Sequence, residues 1–160
     1  MRSRVHVLAA LLLVAAVAAP ATVSADTGGG GGSSGFGTLT IAIGSPVTLK
    51  AKLLLTVPVS ITCTPPDGFI SVDETFDDVL LSQASSRTVA TAEAFTPNGG
   101  TFTCDGTLHR YTATAVAGSV PFHGGQAIAS MSASVCGTRS DFSFDCTSVS
   151  IGPLVVKISG

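Results

Sequence analysis

The chain has 160 residues, 8 of them Lys or Arg and 10 Asp or Glu, so its formal net charge is −2. Only 11% of the residues are charged, and no basic cluster occurs. This composition argues against nucleic acid or an anionic membrane surface as the partner.

The N-terminal residues have the three parts of an export signal. Arg2 and Arg4 form a positive region, Leu8 to Ala19 an apolar run, and Val23 to Ala25 a small-residue cleavage site. The apolar run is too short for a permanent anchor, because a spanning helix needs about 20 such residues. We predict a cleaved signal peptide at residues 1–25, a secreted protein, and no membrane association after cleavage. Cleavage would leave six basic and ten acidic side chains, a formal charge of −4.

The next segment, DTGGGGGSSGFG at residues 26–37, is rich in glycine. It lacks the Lys, the preceding strand and the following helix of a phosphate-binding loop. We therefore predict a flexible leader at 26–37 and a single domain at 38–160.

The segment from Val47 to Cys63, VTLKAKLLLTVPVSITC, alternates in hydrophobicity. Its odd positions are apolar and most of its even positions are polar. Successive side chains of a strand point to opposite faces, so this period predicts β-structure. Because the stretch is long and a proline cannot donate to a ladder, we expect two strand segments, or one strand bent at a bulge near Pro58.

Further short strands are predicted along the rest of the chain. They are Thr38–Ile43, Phe69–Val72, Val79–Gln83, Thr88–Phe95, Phe102–Cys104, Leu108–Val116, Ala127–Cys136, Phe142–Cys146 and Leu154–Ile158. A hairpin turn is predicted at Pro97–Gly100. Strands at about ten-residue spacing with Gly, Pro and Asn turns predict a single antiparallel β-sandwich of roughly seven to nine strands.

Four cysteines, Cys63, Cys104, Cys136 and Cys146, lie in the predicted domain. An even number in an exported chain indicates two disulfides, and three pairings are possible. Cys136 and Cys146 flank a short Gly-containing segment, whereas Cys63 and Cys104 each end a predicted strand, as in a bridge between two sheets. We favour Cys63–Cys104 with Cys136–Cys146. Zinc is disfavoured because structural sites usually bring ligands in close pairs.

Several segments carry a resemblance to a known group of proteins. They are ITCTPP, VLLSQASSRTVATAEA, TFTCDGTLHRYTATAV, VPFHGGQAIASMSASVCG and FDCTS. In this order they resemble small exported proteins of unassigned function from actinobacteria, the high-GC Gram-positive bacteria. The resemblance covers Val47 to Ile158 and implies an immunoglobulin-like sandwich with the same two disulfides, but no activity. The acidic stretch SVDETFDD is longer than is usual in that group.

The acidic stretch contains Asp73, Glu74, Asp77 and Asp78, with Asp67 nearby. Clustered oxygen ligands in a loop could bind calcium, so a calcium site in the Asp67–Asp78 loop is one alternative. The spacing is not that of a helix–loop–helix calcium loop. We favour a solvated acidic loop between two strands.

The remaining candidates for chemistry are scattered. His109 and His123 could bind a metal or act as a base, and Arg87 and Arg110 could recognise an acid. Neither histidine has a third ligand in its neighbourhood, and none of the familiar nucleophile or metalloprotease motifs is present. We predict no cofactor, no metal and no enzymatic activity.

The function predicted is therefore a secreted structural, adhesive or partner-binding module. Its partner would be an extracellular or cell-surface protein. The loops at Asp67–Asp78 and Ser119–Gln126 are the expected contact regions, since loops on a stable scaffold usually carry function. An extracellular enzyme or an enzyme inhibitor is the alternative from another class.

Overall fold

The computed structural model describes residues 22–25, 39–65 and 68–160. Within these residues the chain forms nine strands and one four-residue helical turn. They are β1 (Thr22–Ala25), β2 (Leu39–Ile43), β3 (Val47–Lys50), β4 (Leu54–Cys63), β5 (Phe69–Ser85), β6 (Thr88–Ala94), α1 (Pro97–Gly100), β7 (Leu108–Val116), β8 (Gly125–Arg139) and β9 (Phe144–Ser159). The prediction of an all-β fold is confirmed. No helix among the described residues has the length and apolar character needed to cross a membrane.

Most of the predicted signal peptide and all of the predicted leader at 26–37 lie outside the described residues. The exception is Thr22–Ala25, which forms β1 and pairs antiparallel with β2.

The alternating segment from Val47 to Cys63 forms two strands, β3 and β4, which confirms the first of the two predicted alternatives. The chain turns at residues 51–53, where Ala51 and Lys52 have φ of 51° and 62° and the N–H of Leu53 donates to the Lys50 carbonyl. Pro58 lies within β4 with its side chain exposed. The bulge expected near Pro58 as the second alternative is absent. Pro58 lies between Thr56, where the pairing with β3 ends, and Val59, where the pairing with β2 ends, so no strand on that side needs its N–H as a donor.

The acidic stretch is not a loop, so that prediction was also wrong. The two short strands predicted around it belong to one strand, β5, of 17 residues. β5 pairs antiparallel with β8 from Phe69 to Ser82, with irregularities in register near Ser71 and Glu74. Pairing with a neighbour along this whole length overrides the weak strand propensity of Asp and Glu.

Other boundaries also differ from the predictions. The predicted strands Phe142–Cys146 and Leu154–Ile158 belong to one continuous strand, β9. Phe102–Cys104 is not a strand. A turn is present at Pro97–Gly100, with Asn98 and Gly99 at φ of 66° and 77°. The predicted hairpin was wrong, because β6 pairs with β5 and the next strand, β7, pairs with β4.

The strands form one hydrogen-bonded sheet that folds over on itself. Its order is β1-β2-β4-β3-β9-β8-β5-β6, and β7 pairs with β4. All pairs are antiparallel except β3 with β9, so the sheet is mixed rather than purely antiparallel. β2 contacts β8 and β9 without hydrogen-bonding to either, so the two halves of the sheet face each other. The apolar side chains of β4 and β8 fill the core between these halves.

Both favoured disulfides are present, Cys63–Cys104 and Cys136–Cys146. Cys136 and Cys146 are direct cross-strand partners on β8 and β9. Cys63 ends β4, and Cys104 precedes β7, the strand beside β4. The first disulfide therefore links neighbouring segments of one half of the sheet. The expectation that it would bridge two sheets was wrong.

Candidate functional site

The carboxylates of the acidic stretch point in different directions because they lie on a strand. Asp73 is exposed and accepts hydrogen bonds from Thr138 Oγ1 at 2.7 Å and Ser71 Oγ at 2.8 Å, which lower its pKa. Asp78 accepts a hydrogen bond from Ser132 on β8. Asp67 lies outside the described residues. Within the described parts of the chain, no group of three or more His, Cys, Asp or Glu side chains is placed to hold a metal ion.

Asp77 is buried, unlike its neighbours in the acidic stretch, and burial raises its pKa. Its Oδ1 lies 2.5 Å from Thr96 Oγ1, which is also 3.1 Å from the Thr101 carbonyl oxygen. A hydroxyl group has one hydrogen and can donate to only one of these acceptors. If Asp77 is protonated, its O–H donates to Thr96 and the Thr96 O–H donates to Thr101. The buried Oδ2 has no hydrogen-bond partner among the described residues.

The replacement Asp77→Asn should raise the free energy of unfolding at pH 7 by about 1–2 kcal/mol, because it removes the charge of a buried carboxylate whose Oδ2 has no hydrogen-bond partner among the described residues. The amide can still donate to Thr96. Since the folded pKa of Asp77 is raised, the contribution of this side chain to stability should be fully present below the unfolded pKa of about 3.9 and should be lost as pH rises through the folded value. The difference in stability between Asp77→Asn and the wild type should therefore grow over the same pH range. Urea unfolding from pH 3 to pH 8 would measure both effects.

The matched control for this variant is Asp78→Asn on the same strand, where the side chain is only partly buried and has Ser132 as a partner. It changes the net charge equally but should give little or no stabilisation. If Asp77→Asn lowers stability at pH 7, or if its gain does not shrink as the pH falls below 4, the interpretation of a destabilising buried carboxylate is wrong.

His109 lies in a local turn network and not in a catalytic relay. Its Nε2 is 2.8 Å from Asp105 Oδ1 and 3.0 Å from Thr107 Oγ1, so both partners meet the same ring nitrogen. Asp105 also accepts from the N–H and O–H of Thr107. The hydrogen bonds from His109 and from Thr107 lower the pKa of Asp105 to about 2. A Ser–His–Asp type relay needs the acid and the hydroxyl on opposite nitrogens. This network shapes the turn that precedes β7.

The predicted contact loop Ser119–Gln126 is held to β5 by the buried side chain of Gln83. Gln83 Nε2 donates to the carbonyls of His123 at 2.9 Å and Gln126 at 3.1 Å, and the His123 N–H donates to Gln83 Oε1 at 2.9 Å. Phe122 is buried in the core. Much of this loop is therefore occupied with internal contacts. Arg87 lies exposed in the turn between β5 and β6, and Arg110 is exposed on β7.

The most unusual surface feature is the turn between β8 and β9, residues 139–144, which we call the hairpin tip. Phe142 is 83% exposed and Phe144 is 59% exposed. Ile70, 61% exposed, lies next to Phe69, which pairs with Arg139 at the base of the tip. Large apolar side chains exposed at one end of a small domain are a typical mark of an interaction surface.

The hairpin tip is held in one conformation by several contacts. The Arg139 N–H donates to the Ser143 carbonyl at 2.8 Å, and Asp141 Oδ1 accepts from the N–H and O–H of Ser143. These bonds from Ser143 lower the pKa of Asp141. Arg139 binds Asp145 at 2.6 Å and lowers its pKa, and its guanidinium lies 5.1 Å from the centre of the Phe69 ring. The disulfide Cys136–Cys146 closes the base.

Phe142 occupies the left-handed region of backbone space, with φ of 64°. Bulky residues are uncommon there, and such a conformation costs on the order of 1 kcal/mol or more. The sequence interpretation missed this residue and placed Phe142 in a strand. The signal that could have indicated an exposed aromatic turn is the pair of phenylalanines in the otherwise polar segment GTRSDFSFD, which lies between two cysteines.

Comparison of the chain with protein-family models, with curated proteins and with solved structures finds no match.

Proposed function

We propose that the protein is a secreted partner-binding module that contacts an extracellular or cell-surface protein through the hairpin tip. The observation that carries this proposal is Phe142, a phenylalanine held in a left-handed conformation and exposed to solvent. Both features cost free energy in the isolated domain. A partner that covers the ring would offset that cost.

The chemistry of the hairpin tip suits recognition of a protein with an apolar pocket. Aromatic side chains at the centre of an interface supply much of its binding energy. Arg139, Asp141 and Asp145 lie within three residues of Phe142 along the chain and can form a polar rim. Because the turn is held by hydrogen bonds and a disulfide, little conformational entropy should be lost on binding.

Two disulfides and the N-terminal export signal support a location outside the cell, since disulfides persist in oxidising compartments. The strand pairing supports the immunoglobulin-like assignment. β4 pairs with β7, while β5, β8 and β9 are neighbours in the other half of the sheet. The second and fifth strands, and the third, sixth and seventh strands, of an immunoglobulin domain pair in the same way.

Replacing Phe142 by Gly should abolish binding and leave the fold intact or slightly more stable, by roughly 1 kcal/mol at most, since glycine favours positive φ. The purified, oxidised protein would be immobilised and exposed to secreted and cell-surface proteins of the source organism. Mass spectrometry would identify the retained proteins, and titration with the isolated partner would test saturation.

Leu53→Ser is the matched control, because Leu53 is 50% exposed and lies in the turn just before β4. The hairpin tip instead contacts Gly68, which follows the other end of β4. A partner retained by the wild type and by Leu53→Ser, but lost by Phe142→Gly, supports the proposal. Equal retention by all three proteins would show that the hairpin tip is not the contact surface.

A further inference from the structure

A second apolar surface lies on the outward side of β6, β5, β8 and β9, which we call the outer face. Leu80, Val89, Ile128 and Val155 project from these four strands and are between 42% and 66% exposed. The cross-strand register places Ile128 beside both Ser82 and Val155. Ile128 and Val155 are therefore direct cross-strand neighbours, Leu80 lies diagonal to Ile128, and Val89 stands apart at a corner of the outer face. Several large apolar side chains exposed on one sheet face are a feature of interaction surfaces on soluble proteins.

A groove of about 590 Å³ lies at the β6 side of the outer face, lined by Leu80, Ile128 and Glu93 and, beyond the outer face, by Val116 of β7. Val155 lies beyond Ile128 on the neighbouring strand and is 66% exposed. The outer face thus has a groove on one side and an exposed apolar side chain on the other.

The charges of the outer face stand at opposite corners. Glu93 is the partner of Leu80 and belongs to β6, while Lys157 is the partner of Gln126 and belongs to β9. Among the described residues neither forms an ion pair. Asp78, the next carboxylate along β5, already has Ser132 as a partner.

The dimensions of the outer face are nearly equal in the two directions. Three strand spacings separate β6 from β9, about 14 Å, and the four residue steps from Val89 to Glu93 also span about 14 Å. Consider a two-fold axis that lies in the plane of the interface and runs along the diagonal of the outer face that begins at Val89. Rotation about this axis exchanges the two corners on either side of the diagonal, so Glu93 of one copy lies opposite Lys157 of the other. The symmetry makes this pairing occur twice. The same axis brings Val155 of one copy over the Leu80 end of the groove of the other.

We infer that the outer face is the interface of a symmetric dimer of this chain, with the strands of the two copies crossing at about a right angle. Two Glu93–Lys157 pairs at its corners set the orientation. The four-strand area is only about 20 by 20 Å, which is at the small end for protein interfaces. The dimer should therefore be weak and should dissociate on dilution.

Sedimentation velocity of the purified, oxidised protein over a wide concentration range tests this inference. The weight-average mass of the wild type should rise towards twice the monomer mass. Glu93→Lys and Lys157→Glu should each remain monomeric at concentrations where the wild type dimerises, and the double variant should regain the dimer. Glu93→Lys reduces the net negative charge, so general repulsion cannot explain its loss of dimer.

Circular dichroism would verify that the variants keep the wild-type fold, which is expected because both side chains are exposed. A wild type that is monomeric at every concentration overturns the inference. So does a dimer that survives both single charge reversals, or a double variant that fails to regain it. Val155→Ser provides a second measurement and should weaken the dimer without altering the charge. The inference does not depend on the hairpin tip, since Phe142→Gly should dimerise like the wild type.

Discussion

Replacing Cys63 and Cys104 together by alanine should lower the free energy of unfolding by about 4 kcal/mol, the larger of the two disulfide effects. The disulfide spans 41 residues, and closing a loop of that length in the unfolded chain gives about this value. Cys63 is also completely buried in the core, so its apolar neighbours lose contacts when its sulfur atom is removed. Small domains have only about 5–15 kcal/mol of stability in total.

The matched control is the double replacement of Cys136 and Cys146, which span 10 residues. The same loop argument gives about 3 kcal/mol as an upper value. The actual loss should be smaller, because a hydrogen-bonded hairpin already holds these residues as cross-strand partners and Cys146 is exposed. Guanidinium unfolding of both variants and of the oxidised wild type measures the difference. A larger loss for the 136–146 pair would contradict this ranking.

The replacement Gln83→Ala should lower the free energy of unfolding by about 2–3 kcal/mol. It removes three hydrogen bonds, each with a net value of about 1 kcal/mol, and leaves two carbonyls and one N–H without that partner. The amide is matched to this position because it donates and accepts at the same time. Gln83→Glu should not rescue the protein, since a carboxylate cannot donate to the two carbonyls.

Loss of Gln83 should also release the loop at Ser119–Gln126. Hydrogen exchange at the His123 amide should become faster than global unfolding explains, because its acceptor is gone. Gln126→Ala is the matched control, since the side chain of Gln126 is exposed and only its backbone carbonyl accepts from Gln83. Unchanged exchange at His123 in Gln83→Ala would show that other contacts hold the loop.

Most of the fold could be predicted because its signals are local. The alternation along β4 arises from the direction of successive side chains, and the structure buries Leu55, Val57, Val59 and Ile61 as that period requires. The disulfide pairing could be favoured from the spacing of the cysteines. The hairpin at β8 and β9 follows from the short polar segment between Cys136 and Cys146.

The candidate site was less accessible to prediction. The acidic stretch was interpreted as a loop because Asp and Glu disfavour strands, yet β8 provides a partner for it along most of its length. Burial of Asp77 depends on its inward position on β5 and on Thr96, which lies 19 residues away. The importance of Phe142 depends on a backbone conformation set by the closure of the turn.

The sequence by itself determined that the chain is all-β, because a two-residue period and frequent turn residues are properties of short segments. Only the tertiary structure decided which surfaces are candidates for binding. Exposure of Phe142, enclosure of Asp77 and the opposite corners occupied by Glu93 and Lys157 all depend on which strands become neighbours. Strand neighbours are chosen by packing of the whole core, so residues far apart in the chain must be considered together.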